Sequence, residues 1–166
     1  MNEIDALPRL GQGFYWQELI VGQKFRTFRR TVTEADLIGF IGTTGMLEAI
    51  FIDTDFDGAM AGRAIPAALT QAIIEGFLMQ TMLQGTGMAL LEVSTKILSP
   101  VCVGDAIWAT IEVTHIRPTS KSRRAVVDSR ILVFNQHGEC ILKYDVKRLL
   151  AGRPEIVTDT SVCMTS

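Results

Sequence analysis

The chain has 166 residues, 48% of them apolar, and a formal net charge of −2. That length reads as one domain with enough apolar residue to bury a sizeable core. The slightly acidic balance argues against a nucleic-acid partner, no apolar run reaches the roughly 18 residues of a membrane span, and the acidic opening MNEIDALPRL lacks the apolar stretch of a secretory signal.

The apolar surplus leaves three readings open: an oligomer interface, a ligand tunnel or a fatty core. Cys102, Cys140 and Cys163 are odd in number and form no C-x-x-C pair. They read as free thiols of a reducing, cytoplasmic setting, with Cys102 and Cys140 in the core, so neither a disulfide frame nor a metal is expected. His115 and His137 stand near no Ser or Cys that would complete a triad.

Along the chain, residues 14–32 hold aromatic and β-branched residues around a turn-like Gly22, which predicts an extended stretch and then a strand near 24–31. TVTEADLIGFIG predicts a helix. Thr33 suits the N-cap, Glu34 and Asp36 favour the positive helix end, and Leu37, Phe40 and Ile41 form the inward stripe. Gly42 and Gly45 end it. Residues 52–63, IDTDFDGAMAGR, read as a loop. Asp53, Asp55 and Asp57 open like a calcium-binding loop, but the closing Glu and the flanking helix pair are missing, so calcium is not expected. From Ile65 to Leu83 only Gly76 interrupts a segment apolar around most of its circumference, predicting a helix buried on nearly all sides. Pro66 suits its first turn, and Ala64, Ala67, Ala68 and Ala72 permit close approach. From residue 89 the period becomes two. ALLEVSTKIL, AIWATIEVTHIRP, RRAVVDSRILVFN and GECILKYDVKRLL read as four strands, with a turn at SPVCVGD and a hairpin signal at 135–138. An antiparallel sheet wrapped around one long central helix is the economical packing, giving an α+β domain over residues 1–150 and a polar, mobile tail over 151–166.

Four blocks in this order resemble a known family: YWQELIVGQKFRTFRRTVTEADLIGF, AGRAIPAALTQAII, STKILSPVCVGDAIWATIEV and VFNQHGECIL. Over residues 14–150 the chain looks like a MaoC-like acyl dehydratase, the group that contains the (R)-specific enoyl-CoA hydratases. The resemblance implies the hot-dog fold, an acyl-CoA or other acyl-thioester substrate of fatty acid metabolism, no cofactor, and a homodimer or higher homo-oligomer. The family typically carries F-A-x-L-S/T-G-D-x-N-P-x-H-x-D after its first helix. This chain reads F-I-G-T-T-G-M-L-E-A-I-F-I-D over 40–53, so Phe40, Thr44, Gly45 and Asp53 match. The family's catalytic Asp falls at Met46, its Asn at Glu48 and its catalytic His at Phe51. Where many members have His-Gly at the start of the central helix, this chain has Ala67 and Ala68.

Hydration of an enoyl thioester needs a base for water and an acid for the α-carbon. Met and Phe supply neither. Backbone N–H groups near Ala67 and Ala68 still suit a thioester oxyanion. Met46, Phe51 and Ile65 are expected to line the acyl pocket. Glu48, the one ionisable side chain in the altered motif, reads as a new acid or base or as a solvated loop residue. Glu75 reads as the water-activating carboxylate of a hot-dog thioesterase, with Gln71 one turn earlier to orient the water, or as a Glu paired at a dimer seam. Arg117, Lys121, Arg123 and Arg124 read as a grip for the coenzyme A phosphates or as a solvated turn. Arg63 reads as a partner of Asp55 or Asp57, or as part of the pocket mouth. Two functions compete: a divergent acyl-CoA hydratase, dehydratase or thioesterase, and a non-catalytic acyl-binding subunit with a heteromeric hot-dog partner.

Overall fold

A computed structural model describes residues 9–56, 62–120 and 123–154. Six strands form one antiparallel sheet: β1 (Lys24–Arg26), β2 (Arg30–Thr31), β3 (Gly87–Ile97), β4 (Ala106–Pro118), β5 (Arg124–Phe134) and β6 (Cys140–Ala151). The order is β1-β4-β5-β6-β3, with β2 paired to the start of β4. The period-two alternation sets which way each strand faces. Ile107, Ala109, Ile111 and Val113 of β4 are buried, as are Val127, Ile131 and Val133 of β5 and Tyr144, Val146 and Leu150 of β6. They share one core cluster with Leu69, Ile73, Ile74, Phe77 and Leu78 of helix α3 (Ala67–Gln80). This is the hot-dog arrangement expected from the sequence.

Helix α1 (Glu34–Thr44) starts where Thr33 was expected to cap it. The Thr33 hydroxyl accepts the Asp36 N–H at 3.3 Å, and the Asp36 carboxylate accepts the Thr33 N–H at 2.8 Å. Arg30 on β2 completes the arrangement through an ion pair with Asp36. Gly45 ends α1 in the left-handed region at φ 73°, a conformation that costs glycine little. Four residues later the chain makes a short helix, α2 (Ala49–Ile52), within the altered motif. Its carbonyl end is held by Arg63, whose guanidinium donates to the Phe51 carbonyl at 3.2 Å and pairs with Glu34. Arg63 therefore ties α1 to α2 rather than pairing with Asp55. Asp57 lies outside the described residues.

The central helix is shorter than the expected 65–83. The Ile65 N–H donates to the Val101 carbonyl and Ala64 bridges to Cys102, so both stay extended, while residues 81–86 form turns. Its expected burial on nearly all sides also needs correction. Ala68, Ala72 and Met79 form an exposed stripe in the single chain. Beside it runs the edge strand β3, all eleven residues of which are exposed, including Leu90, Leu91 and Ile97. At the other end of the sequence, Arg153 pairs with Glu18 and its N–H meets Gln17, which fastens residues just beyond β6. Residues 155–166, including Cys163, lie outside the described residues.

The Asp36 carboxyl is raised by desolvation but lowered more by its bonds to Thr33 and Arg30, so it lies below its ordinary 3.8. Its stabilising effect is complete above that value and is lost as pH falls through the lower folded value. Asp36→Asn should cost about 1 kcal/mol at pH 7. Urea unfolding at several pH values should find that cost unchanged down to about pH 4 and fading below it.

Candidate functional site

The altered motif and the start of α3 enclose an open cavity of about 450 Å³. Met46, Leu47 and Phe51 form one apolar wall, and Pro66, Ala67 and Ala68 form the other. The placement follows from local structure: Gly45 turns the chain out of α1, α2 carries Phe51 back, and Arg63 fixes α2 by its carbonyl. Phe51 is half-buried and packs against the core, whereas Met46 and Leu47 are exposed.

The first two N–H groups of an α-helix have no partner within it. At α3 the Leu69 and Thr70 N–H groups find the Pro66 carbonyl at 2.9 and 3.3 Å. Among the described residues no acceptor meets those of Ala67 and Ala68, which face the cavity region at the positive end of a 14-residue helix. Small side chains there keep the backbone approachable.

Of the expected site residues, Met46, Glu48, Phe51, Ala67 and Ala68 come together here. Ile65 does not line this cavity. It is buried in the core because its backbone is drawn to Val101. Gln71 is engaged instead with β3, its carbonyl oxygen accepting the Thr95 hydroxyl at 3.0 Å. Glu48 sits at the N-cap of α2, exposed, with no side-chain cap bond.

Glu75 is elsewhere. Its carboxylate accepts two bonds from Arg148, at 2.5 and 2.6 Å, and one from the Tyr144 hydroxyl at 2.6 Å. Burial, and then the charge and bond of Glu75, hold the Tyr144 hydroxyl well above its ordinary range, so it stays a donor. A carboxylate saturated in this way is poorly placed to take a proton from water. Glu75 joins α3 to β6, and Glu48 and Glu75 do not converge. The signal for Arg148 was present in the sequence: strict alternation puts it on the inward row with Tyr144 and Val146, where a charge requires a partner.

The basic cluster lies at the far end of the molecule. Arg117 and Arg124 flank the β4–β5 connection, which meets Ala151 and Gly152 beside the C-terminal end of α3. The cavity lies at the N-terminal end, about 21 Å away along a helix of this length. Arg117 is also paired, with Asp128 at 2.9 Å. Lys121 is outside the described residues, and Arg123 takes a positive φ of 82° at the turn. Within one chain these residues therefore stand at the C-terminal end of α3 and do not line the cavity at Ala67. Of the thiols, Cys102 is raised by burial and then by Asp105, which keeps it un-ionised. His115 faces Asp128 on the outer side of the sheet, remote from the cavity. Among the described residues there is no cluster that could hold a metal ion, and no helix is long and apolar enough to cross a membrane.

Solved structures share this architecture. The monoamine oxidase regulatory protein of Archaeoglobus is 26% identical, with a TM-score of 0.77 over 86% of this chain and 97% of that one. A MaoC-like dehydratase from Rhodospirillum rubrum is 23% identical, with a TM-score of 0.74 over 86% of this chain and all of that one (100%). A Mycobacterium tuberculosis protein described as having a double hotdog fold is 19% identical, with a TM-score of 0.78 over 89% of this chain and 47% of that one. No family model and no curated protein matches the sequence. The chain has the hot-dog fold of the MaoC-like dehydratases.

Glu75→Ala should destabilise the chain by about 3–5 kcal/mol, because it leaves Arg148 buried and unpaired. The double change Glu75→Leu with Arg148→Met should recover most of that loss in a urea-unfolding double-mutant cycle.

Proposed function

We propose that this chain binds the acyl group of an acyl thioester, coenzyme A- or carrier-linked, in the cavity at the start of α3, and that it lacks the ordinary hydratase reaction. One observation carries the reading: an apolar wall of Met46, Leu47 and Phe51 stands against backbone N–H groups of Ala67 and Ala68 that no acceptor among the described residues meets. The acyl chain packs on the apolar wall, at about 25 cal/mol per Å² buried. The thioester carbonyl oxygen accepts the free N–H groups, aided by the helix dipole.

The same geometry argues against hydration. Adding water to an enoyl thioester moves a proton from water to a base and delivers one to the α-carbon. Met46 and Phe51 hold no exchangeable proton, and Glu48 is the sole ionisable side chain among the described residues that line the cavity. Glu48 is thus the one lining group that could take the proton from water in any residual hydration. The motif likeness puts Met46 and Phe51 where an active relative is expected to carry Asp and His, which favours a binding or partner role over a full enzyme.

A second reading rests on the exposed β3 edge. An eleven-residue edge strand, paired on one side only, beside an uncovered helix stripe is a surface that another hot-dog chain covers well. A second copy pairs β3 edge to edge and buries Leu90, Leu91, Ala72 and Met79. An unlike hot-dog partner carrying its own Asp and His is the heteromeric alternative.

Calorimetry with octanoyl-CoA should give saturable binding, with the amides of Met46–Phe51 and Ala67–Ala68 shifting in NMR spectra. No binding at millimolar ligand would end the proposal. Crotonyl-CoA hydration should fall at least about 100-fold below an ordinary turnover near 10 per second. Turnover near that ordinary value would show that other residues supply the acid and base. Met46→Asp with Phe51→His should raise it above the parent chain.

Light scattering should find a dimer at micromolar concentration. Replacing Leu90 and Leu91 by Lys should shift it to monomer. A parent chain that is monomeric there would exclude self-pairing.

A further inference from the structure

We propose that a second cavity, at the opposite end of α3, binds a neutral aromatic molecule that carries a hydrogen-bond donor. The inference is independent of the acyl-thioester reading, because no residue is shared between the two cavities. This one has a volume of about 390 Å³ and lies between the N-terminal arm, β1 and the last turns of α3. Its walls are two ring pairs. Phe14 and Phe25 have centroids 5.2 Å apart and tilted by 37°, and Phe28 and Phe77 are 4.2 Å apart and tilted by 44°. Ile111 and Leu78 form the buried floor. Phe28 and Phe14 remain partly exposed, so two aromatic faces are left without cover. Rings in such pairs prefer further offset or tilted aromatic contacts.

The cavity is built rather than incidental. The Gly13 and Phe14 N–H groups donate to the Gln84 and Met82 carbonyls at 2.8 and 2.9 Å, which clamps the arm onto the end of α3. A side chain at Gly13 would meet the Gln84 nitrogen and Met82 oxygen at 2.6 Å, so glycine is required for this approach. The clamp is what brings Phe14 over Phe25.

Charge selects the ligand. The one charged lining residue, Arg26, has its guanidinium 4.2 Å over the Trp108 ring, on the outer side of the sheet. The cavity lies at the negative end of α3, which disfavours anions. The hydroxyls of Thr27 and Thr81 already donate to the Phe28 and Phe77 carbonyls. The Gln80 backbone carbonyl, near Gly11 at the rim, and the Gln80 side-chain amide have no bonded partner among the described residues. These acceptors match a ligand O–H or N–H. A carboxylate or phosphate would meet the wrong end of a helix and lose its hydration without a cation to replace it.

The test uses the full chain with 2-naphthol as the neutral donor-bearing probe and 2-naphthoate as its anionic counterpart. In two-dimensional amide NMR, 2-naphthol should shift residues 25–28 and 77–82 saturably. Phe28→Ala, at a half-exposed position, should weaken binding by about three- to tenfold, the size of one lost aromatic contact. Phe14→Ala should do the same, and the dispersion of each variant's spectrum reports whether it is folded. The naphthoate should bind about tenfold more weakly or not at all. No saturable shift at those residues, equal affinity for both probes, or full affinity in both folded Phe variants would overturn the assignment. Shifts confined to residues 46–51 would likewise overturn it, because they place the ring in the other cavity.

Discussion

The constraint on which this molecule rests is the apolar circumference of α3. A helix with Leu69, Ile73, Ile74, Phe77 and Leu78 turned inward cannot stand in water, and only a curved sheet covers so much of it. The inward rows of β4, β5 and β6 supply that cover. Once the helix is embedded, the unmet hydrogen-bonding groups of its own backbone lie at its two ends. The donors at Ala67 and Ala68 face one cavity, and the Gln80 carbonyl faces the other. The chemistry available at each end therefore has an opposite sign, and it is set by the direction of one helix.

A charge network interrupts this apolar contact. Glu75 projects from α3 into the inward row of β6, and the cost of desolvation is offset only because Arg148 and Tyr144 meet it with three bonds. Such a bridge fixes the rotation and register of α3 on the sheet more sharply than apolar contact does. It also fixes which helix stripe is left outside. Ala68, Ala72 and Met79 lie on that stripe beside β3. An acid that could have served as a base is thus committed to holding the scaffold in place.

In the proposed reading, the cavity at Met46 separates binding from proton transfer. Apolar packing and backbone donors depend on the placement of α2 and α3, which Gly45 and Arg63 secure. Proton transfer depends on the identity of two side chains. Under that reading, Met46 and Phe51 offer apolar wall and no exchangeable proton, while the backbone N–H groups of Ala67 and Ala68 remain beside them.

Much of this was legible in the sequence. The alternation of β4 to β6, the Thr33 cap, the hairpin at 135–138 and the central helix follow from local periodicity and capping, which act over a few residues. The residues of the cavity at Met46 were singled out only through likeness to a family motif, and Ile65 lies outside it because a bond to distant Val101 draws its backbone away. The aromatic cavity was invisible, since Phe28 meets Phe77, and Phe14 meets Phe25, only through contacts distant in sequence. The basic cluster looked like part of the site because sequence distance says nothing about which end of a helix a hairpin reaches. The sequence by itself determined which segments are helix and strand and which faces are apolar, because those properties depend on near neighbours. Only the tertiary fold pairs Glu75 with Arg148, places the β4–β5 connection beside the C-terminal end of α3 rather than its N-terminal end, and leaves β3 at an open edge. Those facts depend on how the sheet closes around α3.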